Sequence, residues 1–330
     1  MMPPLRAPRL SAVSDLLLDY GFPAVLALIF LFFSVATPYF LSGGNIVAML
    51  HAMAPVVIIS SGMALIVLTG NIDISLGSIA FLATSIGVLL VVRLGWPPLL
   101  AGCVILLCGL LFGALNGFII TVLGINSLIT TLGTMITLRG IGLELTDASI
   151  IPLPEGVRVL GNLSIGPVFV DVLVMVAVLV AVHVLHGRTP FGRKITAIGN
   201  GAEIAARIGL PVKRLMFVNF VIAGGLASLG GIVGVLQVGS LSAYLGAGME
   251  FIAVAVVVVG GISLAGGRGR VIPGVLLGAL TFEIIRNGLV QLSASPYAYK
   301  MVTGAVIFVA MYVDALKIGR IRVKAATAEE

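Results

Sequence analysis

Long apolar runs dominate the chain, and glycine, proline or charged residues separate one run from the next. The runs are continuous rather than alternating, which is typical of membrane helices and not of β-barrel strands. Since a transmembrane helix needs roughly 20 apolar residues, the pattern predicts an all-α integral membrane protein with about ten transmembrane helices. We expect one membrane domain over residues 1–330. The predicted helices cover approximately residues 22–37, 50–69, 74–92, 97–121, 126–144, 168–186, 215–238, 250–266, 271–291 and 297–313.

The fifth predicted helix is the most polar of the ten. It contains Asn126, Thr130, Thr131, Arg139 and Glu144. Such a segment can be broken or re-entrant where other parts of the protein bury it. Ten spans, and eight spans with two re-entrant segments, therefore both remain open.

The composition agrees with a membrane protein. Of all residues, 59% are hydrophobic and only 10% are charged, against about 25% charged in soluble domains. The net charge of +6 does not require a nucleic-acid partner, because cationic residues collect in the cytoplasmic loops of membrane proteins. The two cysteines, Cys103 and Cys108, lie in an apolar run without metal-ligand spacing.

The basic residues predict the orientation of the chain in the membrane. If the N-terminus is cytoplasmic and the helices alternate, most of the 19 basic residues lie inside, among them Arg6 and Arg9. The external loops 38–45 and 239–249 then contain no basic residue. The positive-inside bias thus predicts a multi-pass protein of the inner membrane with both termini, including a tail at 315–330, in the cytoplasm. We expect the first helix to remain uncleaved.

A long basic loop at residues 187–214 is predicted to be cytoplasmic. Residues 202–208 are good helix formers, and Gly209 and Pro211 follow as stop signals. Glu203 and Arg207 are four residues apart, and Ala205, Ala206 and Gly209 are small enough for another protein to approach closely. A plain solvated connector is the alternative, but it would need only a few residues. We therefore interpret the segment as a docking helix.

Residues 187–194, GRTPFGRK, have the glycine spacing of a phosphate-binding loop but not its chemistry. Arginine replaces the lysine, lysine replaces the hydroxyl residue, and no strand precedes the segment. Any ATP that drives this protein must be bound on another chain.

A weak internal repeat is also visible. Residues 113–120, GALNGFII, are similar to residues 278–285, GALTFEII, in a helix predicted to run in the opposite direction. Inverted repeats are common in transporters, so the fold class includes an inverted internal repeat as a hypothesis.

Several polar residues lie within or beside apolar runs, where polar side chains usually have a function or a partner. Asp73 either caps the following helix and shapes its turn at a water-accessible edge, or has a role in a gate or a subunit contact. Glu283 either pairs with Arg286 or lines a solute path, and the uncharged residues either bind solute or hold helices together. The residues assigned to a translocation path or gate are Asp73, Asn116, Asn126, Thr130, Thr131, Glu283 and Asn287.

Three segments together resemble the permeases of bacterial monosaccharide ABC importers of the ribose, xylose and galactose type. They are residues 68–78 (LTGNIDISLGS), 197–210 (AIGNGAEIAARIGL) and 256–270 (VVVVGGISLAGGRGR). The family's patterns are GGIDLSVGS, AIGGN and GGxSLxGGxG. The resemblance covers nearly the entire chain, with Asn71 and the order Gly199-Asn200-Gly201 as departures.

The resemblance implies a permease that carries a sugar delivered by a periplasmic binding protein. It also implies two ATPase subunits that bind ATP and Mg, a second permease copy or paralogue, and no cofactor or catalytic residue on this chain. Residues 202–210 would be the coupling helix. The residues assigned to ATPase coupling are Gly199, Asn200, Glu203, Ala205, Ala206, Arg207, Gly209 and Leu210.

Other functions remain as alternatives. An ABC permease for a branched-chain amino acid or a nucleoside shares the general pattern. An ion-driven carrier would use Asp73 and Glu283 as coupling sites, although the long ordered loop argues against it. An intramembrane enzyme lacks a Ser-His, paired-Asp or His-cluster constellation.

Overall fold

The computed structural model describes residue 24 and residues 26–326, so Arg6, Arg9 and the last four residues lie outside the description. The chain divides into two compact units. One comprises residues 43–280, and the other comprises the residues up to Ser42 together with those from Thr281 onward. Each unit is described by itself.

The described chain is almost entirely helical, with four two-residue strands. The helices are α1 Leu26–Ala36, α2 Gly43–Leu68, α3 Leu76–Leu94, α4 Pro98–Thr121, α5 Ser127–Thr146, α6 Glu155–Arg158, α7 Val170–Arg188, α8 Pro190–Asn200, α9 Ala202–Arg207, α10 Val212–Val238, α11 Met249–Val259, α12 Val271–Gln291 and α13 Pro296–Ala326. A single 3₁₀ turn occupies Val159–Asn162. The strands are β1 Ile151–Pro152, β2 Ser164–Ile165, β3 Val168–Phe169 and β4 Ser240–Leu241.

Within the described residues, eight helices are long and apolar enough to cross a membrane, and α1 and α11 are shorter apolar helices. The predicted all-α membrane class is confirmed, and the predicted count of ten spans is approximate. The polar fifth helix is one continuous span, α5, and is not broken.

The larger unit is built around α10, which packs against α2, α3 and α4. Small residues allow the close approach of α4 and α10. A Cβ on Gly113 would collide with the Phe220 carbonyl oxygen, and one on Gly109 would collide with Ser228 and Gly224. The interface is thus of the small-residue type that membrane helices favour.

The segment between α5 and α7 folds back onto the ends of α3 and α10. β1 pairs with β4 in antiparallel register, with Ile151 opposite Leu241. Leu153 and Val157 join Phe81 and Val88 of α3 in a buried apolar cluster. The β2–β3 hairpin lies in the same segment and presents an exposed Ile165.

The basic loop contains two helices where the sequence predicts one. α9 matches the predicted helix, while α8 occupies residues that the sequence leaves as a connector. Thr189 caps α8, since its hydroxyl oxygen accepts a hydrogen bond from the Gly192 amide, and Pro190 takes the first helical position. Ile195 and Ile198 form its buried face.

Two further helix ends differ from the prediction. α11 ends at Val259 because the glycine-rich residues that follow form tight turns, whereas we predicted a helix to 266. α13 continues to Ala326, so the predicted tail begins as helix rather than as a separate segment.

In the other unit, α1 packs against the part of α12 that begins at Thr281. Gly288 makes room for the Phe33 ring, which stacks on Phe40 with 5.9 Å between the ring centroids. Arg286 donates two hydrogen bonds to Glu283, at 2.9 and 2.7 Å. Asn287 accepts a hydrogen bond from Gln291 at 3.0 Å.

Candidate functional site

Helix α9 is a short surface helix that exposes apolar side chains. Ile204 and Ile208 are four residues apart and are 66% and 69% exposed. Glu203 and Arg207 are exposed beside them, and they form no ion pair with each other in the described chain. An exposed apolar pair on an ordered helix is typical of a surface that another protein covers.

The end of α9 is fixed by local hydrogen bonds. Gly209 has a φ of +85°, and its amide donates to the Ala206 carbonyl at 3.0 Å. The Leu210 amide donates to the Ala205 carbonyl at 3.0 Å. This is the left-handed glycine stop predicted from the sequence. Ala205 is buried against the protein and cannot contact a partner, in contrast to our expectation of a small exposed residue.

The three segments that carry the family resemblance meet at one place, which we call the glycine junction. It consists of Leu68 and Gly70 after α2, Gly199 and Asn200 at the end of α8, and Gly266 and Gly267 after α11. The Gly267 amide donates to the Leu68 carbonyl at 2.9 Å, and the Asn200 side chain donates to the Gly267 carbonyl at 3.4 Å. The junction therefore links α8 directly to the end of α2 and to the loop between α11 and α12.

Glycine is required at this junction for two separate reasons. A Cβ on Gly199 would collide with the Leu68 carbonyl oxygen and the Gly267 amide nitrogen, so three backbones touch here without intervening side chains. Gly70 and Gly266 also have φ angles of +76° and +85°, which other residues rarely adopt. Gly199 thus allows the close backbone contact, and Asn200 adds a side-chain hydrogen bond to Gly267.

A second cluster, which we call the polar crossing, lies where α3 and α11 begin. Asp73 is fully buried, and one of its carboxylate oxygens accepts hydrogen bonds from the Ser75 amide at 2.8 Å and the Ser75 hydroxyl at 2.6 Å. The Asn116 amide donates to the Ser75 hydroxyl at 2.8 Å and to the second Asp73 oxygen at 3.4 Å. The Ile74 amide donates to the Thr131 hydroxyl at 3.3 Å. These hydrogen bonds join three segments: the turn before α3, α4 and α5.

Asp73 is not the N-cap of α3, because Ser75 takes that position and α3 has no side-chain cap hydrogen bond; Asp73 instead accepts from Ser75 in the turn before the helix. We expected a water-accessible edge, and the side chain has no exposed surface. Burial raises the pKa of the Asp73 carboxyl above its ordinary value, while the hydrogen bonds from Ser75 and Asn116 oppose that change. The buried carboxylate is thus held by donors rather than by a cation.

Glu250 lies in the first turn of α11, against Gly77 in the first turn of α3. One of its carboxylate oxygens accepts a hydrogen bond from the Gly248 amide at 3.2 Å. The other oxygen is buried, has no hydrogen-bond partner in the described chain, and lies against Gly77. A Cβ on Gly77 would also collide with the Gly246 carbonyl oxygen. The first turn of α3 therefore touches the backbone of the turn that precedes α11.

Arg139 of α5 reaches into the same region. Its guanidinium donates to the Leu245 carbonyl at 2.7 Å and lies 4.7 Å from the centroid of the Phe81 ring. The contact with the ring is a cation–π interaction. Arg139 thereby fixes the turn that leads into α11.

The structure brings together three of the seven residues that the sequence assigns to a path or gate: Asp73, Asn116 and Thr131. Thr130 is buried with an unpartnered hydroxyl, while Asn126 is an exposed cap whose oxygen accepts from the Leu128 amide at 2.9 Å. Glu283 and Asn287 belong to the other unit and have their own partners, Arg286 and Gln291.

Sequence reasoning missed Glu250, although a signal was present. Glu250 is the only carboxylate between residues 204 and 282, and it follows the glycine-rich stretch LGAG at 245–248. A lone carboxylate between a glycine turn and an apolar run is the same signal that singled out Asp73. In the part of the chain that the structure describes, no group of three or more His, Cys, Asp or Glu residues could hold a metal ion.

Comparison with known proteins identifies relatives over most of the chain. The model of the family described as branched-chain amino acid transport system / permease component matches residues 45–311. The chain is 35% identical over 302 residues to the probable ABC transporter permease protein YphD of Escherichia coli. The aligned region covers 90% of each chain.

Two further relatives carry names that include a solute. The chain is 35% identical over 287 residues to the ribose import permease protein RbsC of Bacillus subtilis, covering 86% of this chain and 88% of the relative. It is 34% identical over 306 residues to the autoinducer 2 import system permease protein LsrC of Photorhabdus laumondii, covering 91% of this chain and 89% of the relative. No solved structure matches the chain.

Proposed function

Since this chain belongs to the family of permease components of branched-chain amino acid transport systems, and is the membrane-spanning permease subunit of an ABC importer, we propose that its solute is a sugar. The permease is not an enzyme. In our proposal, a periplasmic binding protein delivers the solute, an ATPase subunit on the cytoplasmic side hydrolyses Mg-ATP, and a second permease copy or paralogue completes the pathway. The membrane is the bacterial inner membrane, with both termini in the cytoplasm.

The observation that supports coupling to an ATPase, and with it the proposed importer, is the glycine junction. A force applied by an ATPase to α9 passes through α8, because Gly199 and Asn200 contact the backbones of Leu68 and Gly267. Leu68 is the last residue of α2, shortly before Asp73 of the polar crossing. Gly267 lies in the loop that follows α11, and the first turn of α11 holds Glu250. The path from the surface helix to the buried cluster thus consists of backbone contacts, which transmit displacement with little slack.

The polar crossing is suited to act as a gate for an uncharged, hydroxyl-rich solute. The Asn116 carbonyl oxygen and one Glu250 oxygen are buried without a hydrogen-bond partner in the described chain. Such groups favour a state in which partners reach them. When α3 and α11 separate, sugar hydroxyls can supply those partners.

The printed name of one relative supports a sugar, since RbsC is a ribose import permease, and the name of another, LsrC, gives autoinducer 2 as its solute. The family description favours a second candidate, a branched-chain amino acid. Uptake of radiolabelled pentoses, hexoses and leucine into cells that express the complete importer separates the two. We expect uptake of a labelled sugar and no uptake of leucine. The reverse result would replace our proposal with the second candidate.

ATPase coupling is tested on α9 with a matched control. Ile204→Ser and Ile208→Ser should each release the ATPase subunit when the complex is purified through a tag on the permease, because each removes an exposed apolar contact. Ile165→Ser is the control, since Ile165 is 67% exposed and lies in the β2–β3 hairpin, remote in sequence. Full retention of the ATPase in both α9 variants would refute docking at α9.

Uptake that continues after ATP depletion but stops when ion gradients collapse would refute the ATP-driven function itself.

A further inference from the structure

A basic pocket lies at the end of α7, next to the glycine junction, with a different set of lining residues. Its volume is about 470 Å³. It is formed where α7 ends, where α8 begins and where the chain enters α12. The lining residues with polar side chains are His183, His186, Arg188, Arg193, Thr196 and Arg270.

Within the described residues, no carboxylate forms an ion pair with the arginines of this pocket. Arg188, Arg193 and Arg270 are exposed, and none of them forms an ion pair among the described residues. Glu203 is the only carboxylate between residues 172 and 249. Three guanidinium groups around one cavity, without carboxylates, are suited to bind an anion with several oxygens, such as a phosphate.

The two histidines are held in defined orientations by hydrogen bonds. The Ile272 amide donates to Nδ1 of His183 at 3.3 Å, so a neutral His183 ring carries its proton on Nε2. Nε2 of the buried His186 lies 3.0 Å from the Thr196 hydroxyl oxygen. That hydroxyl donates to the Gly192 carbonyl, so His186 is the donor in the pair. The floor of the pocket is therefore ordered, and His183 adds another N–H donor.

An exposed apolar stripe on α7 leads to the pocket. Leu173, Val176, Val180 and Val184 are between 38% and 48% exposed and recur at the three- and four-residue spacing of one helix face. The next position on this face is Gly187, which lines the pocket. A ligand with an apolar tail and an anionic head would contact both features at once.

We propose that this pocket binds the phosphate group of an anionic phospholipid, with an acyl chain lying along the α7 stripe. The pocket is at the level where the spans α7 and α12 begin or end, which is where lipid headgroups lie. Basic pockets between membrane helices are suited to such headgroups. A free phosphate has the same head chemistry but would leave the stripe unused.

The test compares two triple variants of the complete importer in nanodiscs. Arg188→Gln, Arg193→Gln and Arg270→Gln together remove the pocket's charge. Lys194→Gln, Lys213→Gln and Arg214→Gln remove an equal charge from the same loop, at positions that do not line the pocket. The readout is the retention of phosphatidylglycerol against phosphatidylcholine, measured by native mass spectrometry.

At about fivefold per basic residue near an anionic headgroup, the pocket triple should retain phosphatidylglycerol roughly a hundredfold more weakly. The control triple should change retention far less. Equal weakening in both triples would overturn the proposal, because it would mean a diffuse charge effect rather than a site. Unchanged lipid retention with loss of the ATPase subunit in the pocket triple would also overturn it and assign the arginines to the ATPase interface.

A second arm separates a lipid from a soluble phosphate. Dioleoyl phosphatidylglycerol should raise the unfolding temperature of the unaltered complex in phosphatidylcholine nanodiscs, and inorganic phosphate should not. Val180→Ser with Val184→Ser should reduce the effect of the lipid. Equal stabilisation by inorganic phosphate would overturn the assignment to lipid.

Discussion

At the scale of single residues, Gly199 shows how the junction depends on one missing side chain. A Cβ at this position collides with backbone atoms of Leu68 and Gly267, which cannot rotate away as a side chain can. Gly199→Ala should therefore destabilise the protein by about 1–3 kcal/mol, the range for overpacking a tight interior. The apparent unfolding temperature in detergent measures this loss.

Gly133→Ala is the matched control for that prediction. Gly133 lies inside α5, and a Cβ there meets nothing within 4 Å. Because alanine is the better helix former by about 1 kcal/mol, this variant should be at least as stable as the unaltered protein. If Gly199→Ala were as stable as Gly133→Ala, the junction would tolerate a side chain and its glycines would have no packing role.

Asp73 is predicted to stabilise the start of α3 through its hydrogen bonds. Asp73→Ala leaves the Ser75 amide and hydroxyl without this acceptor in a buried place, which costs about 1–3 kcal/mol per group. Asp73→Asn keeps one acceptor oxygen and should lose less. Thermal unfolding of the two variants in the same detergent tests the order, and an alanine variant as stable as the asparagine variant would contradict it.

At the scale of elements, the contact between α3 and α11 determines whether the polar crossing closes. Gly77→Ala places a methyl group against the Gly246 backbone and the Glu250 carboxylate, so the two helix starts must move apart. Solute uptake should fall on the order of tenfold, which corresponds to roughly 1.4 kcal/mol, within the range of overpacking. Uptake per permease in the membrane, with abundance measured by immunoblot, is the readout.

The neighbouring residue Ser78 supplies the control within the same helix turn. Its buried hydroxyl has no hydrogen-bond partner in the described chain, so Ser78→Ala removes a polar group without breaking a bond. Uptake and abundance should stay the same or rise. If Ser78→Ala lowered uptake as much as Gly77→Ala, sensitivity of this helix turn to any change would explain both results.

The same elements explain what the sequence could and could not predict. The sequence predicts α9 and its end at Gly209, because helix-forming residues and a glycine stop lie within one short segment of the chain. α8 was missed because its two buried isoleucines stand among basic residues and resemble a solvated connector. The polar crossing joins Asp73, Asn116 and Glu250, which are far apart along the chain, and no periodicity encodes such contacts.

At the scale of the whole molecule, the uneven distribution of basic residues predicts the sidedness of the importer. The β2–β3 hairpin belongs to an end of the larger unit where β1 pairs with β4, and α9 belongs to the basic loop. Cationic loops remain on the cytoplasmic side. Ser164 in the hairpin should therefore face the periplasm, and Ala206 in α9 should face the cytoplasm.

Cysteine labelling tests this orientation with little disturbance, because Cys103 and Cys108 are the only cysteines and can be replaced by alanine. Ser164→Cys should react with a membrane-impermeant maleimide in cells whose outer membrane alone is permeabilised. Ala206→Cys should react only after the inner membrane is opened. Both positions are exposed, so access to the reagent, rather than burial, decides the outcome. The opposite pattern would put α9 in the periplasm, out of reach of any ATPase, and would remove the basis for coupling through the glycine junction.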